Sequence, residues 1–280
     1  MHSKVKCFIC FLLSTIMGIS VLASTVYAQS IAGCSVLANG GWGQGHSGML
    51  YLNGFDNSSN NKSVMHVSGT TYVVKKGTKS DFLNDHKFLG YYRPTKMLSR
   101  DDQIDIINTA LALNAVKNNI KYTISSQIDY DDKNSDGKVS YSEISYFRCD
   151  GFVEYTYEYN GIRIYGADNN HWNISIADKQ TKSDHSVKKI TPKKQAFNYM
   201  TNLLGDLNFN GTVSAEDSRT ALRIASRLEN ANEYQYFVSD ADGNGTVTAS
   251  DAKLILKYAS RQIAQFPGDP KYNASYNPDL

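Results

Sequence analysis

Residues 146–162 read YFRCDGFVEYTYEYNGI. Cys149 heads an amphipathic helix whose buried side is Phe152, Val153, Tyr155 and Tyr159, and the Asn160-Gly161 pair ends it. Two chemistries fit a cysteine in that place. A free cysteine packs well as a small core residue, and a helix N-terminus favours the thiolate that a nucleophile needs. The second use requires a base beside the thiol, so the rest of the chain decides between them.

The start of the chain points to export. Lys4 and Lys6 precede the apolar run CFICFLLSTIMGISVLA, and small residues at Val26 and Ala28 then offer a cleavage point. This is the layout of a secretory signal peptide over residues 1–28. The apolar run falls short of the ~20 residues of a membrane span, so the mature protein is expected to be secreted, extracellular and free of the membrane. The chain of 280 residues carries 29 Lys+Arg against 27 Asp+Glu, and Lys4 and Lys6 leave with the signal, so the mature charges balance. No basic footprint of a nucleic-acid binder is left. Cys7 and Cys10 leave too, and Cys34 with Cys149 is too small a set for a disulfide-stapled scaffold. The pair either forms one bridge, which abolishes thiol chemistry, or keeps its thiols free.

Three blocks follow the signal. Residues 29–177 mix strand and helix patterns: GMLYLNGF and TTYVVKKG alternate as strands do, and SRDDQIDIINTALALNAVKN reads as a helix capped by Ser99. Residues 178–199 are polar and lysine-rich and read as a linker. Residues 200–268 contain an internal repeat with a period of 34 residues, GDLNFNGTVSAEDSRTALRIASRLE from Gly205 and SDADGNGTVTASDAKLILKYASRQI from Ser239. Residues 269–280 read as a flexible tail.

Each repeat carries oxygen donors at loop positions 1, 3, 5, 7 and 12 with glycine at 6, the requirements of a calcium loop. The first supplies Asp206, Asn208, Asn210, the Thr212 carbonyl and Asp217; the second supplies Asp240, Asp242, Asn244, the Thr246 carbonyl and Asp251. Two loops at fixed spacing, each leading into a similar helix, resemble a type I-like dockerin, the calcium-folded module that plugs secreted enzymes into cohesin domains of a scaffold protein. Both loops end in Asp, as that family's do. At positions 10 and 11, where dockerins commonly carry hydroxyl residues, stand Ala215, Glu216, Ala249 and Ser250. The resemblance implies two bound calcium ions and a cohesin partner, and leaves open which cohesin. A third stretch, DKNSDGKVSYSE, fits a full EF-hand loop with ligands Asp132, Asn134, Asp136, the Lys138 carbonyl and Glu143; an acidic surface hairpin is its plain alternative.

The base for Cys149 must come from elsewhere. His46 lies in GQGHSGMLYLNG and His66 in SVMHVSG, each in or beside a strand, whereas His86, His171 and His185 have polar, loop-like surroundings. Together the cysteine and histidine segments resemble NlpC-like cysteine peptidases and amidases of the papain-like superfamily, with motifs of the form CSGFVxYxYxxxGI, GHVGIYxG and hHAS. FLGYYRP, Phe88 to Pro94, resembles the strand that closes the sheet in such domains. Both histidines precede the cysteine here, which is the order of the circularly permuted branch. The resemblance implies Cys149 as nucleophile, His46 as its base and His66 as orienter of the imidazole. Asp150 and Arg148 replace the residues usual beside the cysteine, which leaves the substrate open.

The expected fold is therefore α+β: a permuted papain-like domain, an antiparallel sheet packed on helices, followed by a small all-α dockerin. The expected function is a secreted cysteine peptidase or amidase acting on a peptide or amide substrate, cell-wall peptides among the candidates, and docked on a cohesin-bearing scaffold. Two other readings stand beside it. One is a peptide-binding domain without turnover. The other is a polysaccharide-degrading component of a cellulosome-like complex, which would need two carboxylates across a cleft and has no motif here.

Overall fold

Four short strands and two later ones build a six-stranded antiparallel sheet in a computed structural model. It describes residues 30–40, 44–55, 61–69, 73–130, 139–165 and 189–272. The expected signal peptide, the expected ligands Asp132, Asn134, Asp136 and Lys138, and residues 273–280 lie outside them. The strands are β1 (Ser35–Ala38), β2 (His46–Leu50), β3 (Val64–Val67), β4 (Val74–Gly77), β5 (Phe88–Pro94) and β9 (Met200–Asn202), in the order β4-β3-β2-β1-β5-β9. A short helix, α1 (Lys79–Leu83), follows β4.

Side-chain alternation along each strand divides the core in two. On one face Leu37, Met49, Met65, Val67 and Val74 meet helices α2 (Arg100–Ala115) and α3 (Cys149–Glu158). On the other, Val36, Ala38, Leu50, Val64 and Tyr91 meet Phe55, Phe82 and a set of C-terminal residues that includes Leu203, Leu207, Tyr234 and Val238. Covering both faces explains why β1 and β3 are buried at every position. Ser99 caps α2 and forms a capping box with Asp102, as the sequence implies. A second, three-stranded sheet, β6 (Lys121–Tyr122), β8 (Ile144–Phe147) and β7 (Ile128–Tyr130), delivers the chain directly into Cys149.

Several expectations need correction. Helix α3 is not amphipathic in place: every residue from Cys149 to Glu158 is buried, because the sheet, β8, α2 and the segment Pro192–Tyr199 surround it. Tyr157, not Tyr159, is the enclosed tyrosine near its end, its hydroxyl donating to the Gly33 carbonyl at 2.9 Å, and Tyr159 is 40% exposed. Strand β5 does not close the sheet, since β9 pairs outside it with Tyr92 opposite Asn202 and Pro94 opposite Met200.

The described part of the expected linker is built into the core. Residues 192–199 form α4 (Pro192–Tyr199), capped by Thr191, with Gln195, Ala196 and Phe197 buried. The lysine-rich composition hid this, because the half-buried Lys193 and Lys194 stand in the same short helix as the buried Gln195, Ala196 and Phe197. The C-terminal helices α5 (Ala215–Ala225), α6 (Glu233–Ser239) and α7 (Ala249–Ala259) then pack on the second face of the sheet. Tyr91 meets Tyr234 edge-on at 5.1 Å, Phe88 meets Phe237 at 4.7 Å, and Lys79 pairs with Glu233 at 2.8 Å. Residues 269–272 of the expected tail form a turn pinned by Lys271, whose Nζ donates to the Phe197 carbonyl at 2.7 Å. Among the described residues no helix is long and apolar enough to cross a membrane.

Candidate active site and calcium loops

Cys149 is the first residue of α3, and the close fit of its helix start depends on Gly151. A Cβ there would overlap the Gln127 carbonyl oxygen, which accepts the Arg148 N–H at 2.9 Å. The thiol is 2% exposed, and its Sγ accepts the backbone N–H groups of Ser47 and Asp150. Burial, then the Asp150 charge, pushes the thiol up to about 12. Cys34 and Cys149 are both free and buried, so the bridge does not form.

The residues flanking the cysteine, and others that pattern reading passed over, form a buried polar frame. Arg148 Nε and Nη2 each donate to the Asp150 carboxylate at 2.6 Å, and Nη2 also reaches the Ile190 carbonyl at 2.8 Å. Gln127 and Gln195 both donate to Glu154 Oε2, at 2.8 and 2.6 Å. Tyr122 stands in the field of Cys149 and Asp150, and burial chiefly, with those two charges, raises its phenol. These groups come from β6, the lead into β7, α3 and α4, so their meeting has no local sequence signal.

The two histidines meet. His46 Nε2 lies 2.9 Å from His66 Nδ1, and the His46 ring stacks on Phe82 at 4.9 Å. Burial, helped by the charges of His86 and Lys75, lowers His46 to about 4, and burial followed by His46 and Lys75 lowers His66 well below its usual value. Both rings are therefore neutral at rest. Alternation along β2 sends His46 and Gly48 to the Phe82 face, and Ser47 and Met49 to the face of α3. The structure thus brings the imidazoles together and brings the thiol to the backbone beside His46. Among the described residues no hydrogen bond joins the thiol directly to either imidazole.

The two repeat loops take one conformation. Asp206 accepts the N–H groups of Asn210 and Gly211 at 3.1 and 2.9 Å; Asp240 accepts those of Asn244 and Gly245 at 3.1 and 2.8 Å. Gly211 and Gly245 have φ of +88° and +90°, a left-handed backbone that the sixth position needs glycine to reach. Asn210 and Asn244 each accept from the threonine two residues on, Thr212 and Thr246, at 2.9 Å. Asn208 Oδ1 and Asp242 Oδ1 accept the Asn210 and Asn244 N–H groups at 3.1 and 3.0 Å. The twelfth residues, Asp217 and Asp251, sit at the third helical position and cap Ser214 and Thr248. The carboxylates of Asp240, Asp242 and Asp251 lie within 4.8 Å of one another. Burial first, and then neighbouring carboxylates, raises Asp206 and Asp240 against the opposing pull of the loop N–H groups. A convergent set of hard oxygens whose mutual repulsion a cation would relieve fits calcium. Of the third loop only Glu143 is described; its carboxylate accepts the Ser140 N–H at 2.9 Å.

No family model matches the chain, and no curated protein matches it. Two solved structures are similar to a part of it. Both are complexes of the third cohesin of ScaC with the ScaB dockerin from Acetivibrio cellulolyticus, described as displaying a type I interaction. One is 30% identical over 25% of this chain and 97% of that chain, with a TM-score of 0.24; the other is 32% identical over 23% and 90%, with a TM-score of 0.22.

Proposed function

We propose that the chain is a secreted cysteine peptidase or amidase of the permuted NlpC-like kind, carried on a scaffold by a calcium-loaded, dockerin-like C-terminal unit. The observation that carries the enzymatic half is the His46–His66 contact of 2.9 Å beside the strand residue whose N–H binds the Cys149 thiol. His46 is the first residue of β2 and its ring lies on the Phe82 face, so the mechanism requires the start of β2 to shift before the ring reaches the thiol. Thiol and imidazole start neutral. The thiol proton passes to His46 as Sγ attacks the substrate carbonyl, and His66 holds the imidazolium that results. The unpaired N–H groups of the first turn of α3, that of Cys149 among them, face the developing oxyanion. His46 then protonates the leaving amine, and water releases the acyl group.

Calcium, when bound, supplies the positive charge that lets the loop carboxylates converge; Asp206, Asn208, Asn210, the Thr212 carbonyl and Asp217 would hold one ion, and Asp240, Asp242, Asn244, the Thr246 carbonyl and Asp251 the other. For the cohesin partner, Leu222 on α5 and Leu256 on α7 are 46% and 47% exposed and one repeat apart, the kind of apolar pair a docking face needs.

The buried, raised thiol favours one other reading, a domain that binds a peptide without turnover. Hydrolysis of a panel of cell-wall peptides and simple amides by the full chain with calcium decides between them. Enzymatic action requires Cys149→Ala to lose about a thousandfold or more in kcat/KM. Turnover untouched by that change would sink the cysteine mechanism, and binding without turnover would establish the second reading. Titration with a cohesin tests docking, with Leu222→Asp and Leu256→Asp expected to weaken it and no cohesin binding at all counting against it.

A further inference from the structure

We propose that α4 is the clamp that keeps the cysteine and histidine segments in register, with Gln195 as its positioning residue; this rests on the hydrolase reading above. The two segments lie about a hundred residues apart in sequence, on opposite sides of the sheet, and α4 touches both. Toward the cysteine, Gln195 Nε2 donates to the Asp150 carbonyl at 3.0 Å and to Glu154 Oε2 at 2.6 Å, and Ile190, just before the helix, accepts from Arg148 at 2.8 Å. Toward the histidine, the Lys193 N–H donates to the Gln44 carbonyl at 3.0 Å, two residues before His46.

Gln195 is 1% exposed, so water does not replace its partners. The helix is itself held at both ends. Thr191 Oγ1 accepts the Lys194 N–H at 3.2 Å, Phe197 packs on Tyr92, and β9 follows without a gap into the sheet. The nucleophile and its base are thus placed by one short helix outside both of their motifs.

The test reads the site without substrate, so its failure is distinct from failure of the hydrolase reading. Iodoacetamide labelling of the full chain with calcium is followed at Cys149 and at Cys34, which is buried in the other core and reports global opening. Losing these buried hydrogen bonds is expected to speed Cys149 labelling in Gln195→Leu by about tenfold or more, with Cys34 unchanged. The His46 imidazole pKa, read by NMR, is expected to rise toward its ordinary value in the same variant, a change that simple loosening around Cys149 would not produce. If Gln195→Leu does not fold, Thr191→Ala, which removes only the helix cap, is expected to give about a fivefold acceleration at Cys149. Labelling at the wild-type rate, Cys34 and Cys149 accelerating together, or an unmoved His46 titration would each overturn the proposal.

Discussion

His46 is a half-buried ring that its surroundings keep neutral, and that makes its ionisation a measure of the site. A histidine lowered from 6.5 to about 4 binds fewer protons folded than unfolded. Its contribution is therefore fully present above pH 6.5 and is lost as pH falls toward 4, at most about 3 kcal/mol. Denaturant unfolding at pH 7 and pH 4 is expected to show that loss in the wild type relative to His46→Gln; equal losses in both would mean the ring is not held neutral. Asp150 presents the converse case. It balances Arg148 inside the core, where both side chains are 3% exposed or less, so Asp150→Asn leaves an uncompensated guanidinium. The expected destabilisation is about 3–5 kcal/mol by denaturant titration, against less than 1 kcal/mol for an exposed pair.

At the scale of the element, α3, α5 and α7 show how one local rule serves different ends. The N-terminal turn of α3 receives Cys149 because β8 and Arg148 deliver it there. Asp217 and Asp251 at the start of α5 and α7 complete the capping boxes of Ser214 and Thr248 and also accept loop N–H groups, so each couples the loop to its helix. Asp251→Asn is expected to weaken one of two calcium sites about tenfold or more by isothermal titration, and Asp217→Asn the other. Two unchanged affinities would remove these residues from the ligand set. The helix and strand starts were legible in the sequence because caps, acidic first turns and glycine at the sixth loop position act within a few residues of themselves. The enclosure of α3 was not legible, since Asp150, Glu154 and Glu158 read as a solvent-facing side and their burial is set by distant parts of the chain.

In the whole molecule the calcium-loop unit and the sheet share a core instead of hanging together on a tether. Arg93 of β5 donates to the Pro94 and Thr95 carbonyls at 2.9 and 3.1 Å, and reaches the Gly211 carbonyl of the first loop at 3.4 Å. Tyr234 donates to the Asp206 carbonyl from α6. Calorimetry is therefore expected to show one cooperative transition for the full chain, and chelation with EGTA to lower it as a unit. With calcium at a hundred times its dissociation constant, each site is worth about 2.7 kcal/mol, or about 5–10 °C. Two transitions, only one of them sensitive to EGTA, would show that the units melt independently.

The sequence by itself determined what depends on short separations: the repeat, the loop donors, the cap of α2, the cysteine at a helix start and the strands that carry His46 and His66. Only the tertiary structure decided which of these meet. It joined His46 to His66, set the thiol against Ser47, enclosed Arg148 with Asp150, and turned a lysine-rich stretch into α4 and β9. The reason is physical. Loop spacing and capping are chemistry of neighbouring residues, whereas a side chain's partners across a sheet are chosen by strand order and alternation, which no local pattern encodes.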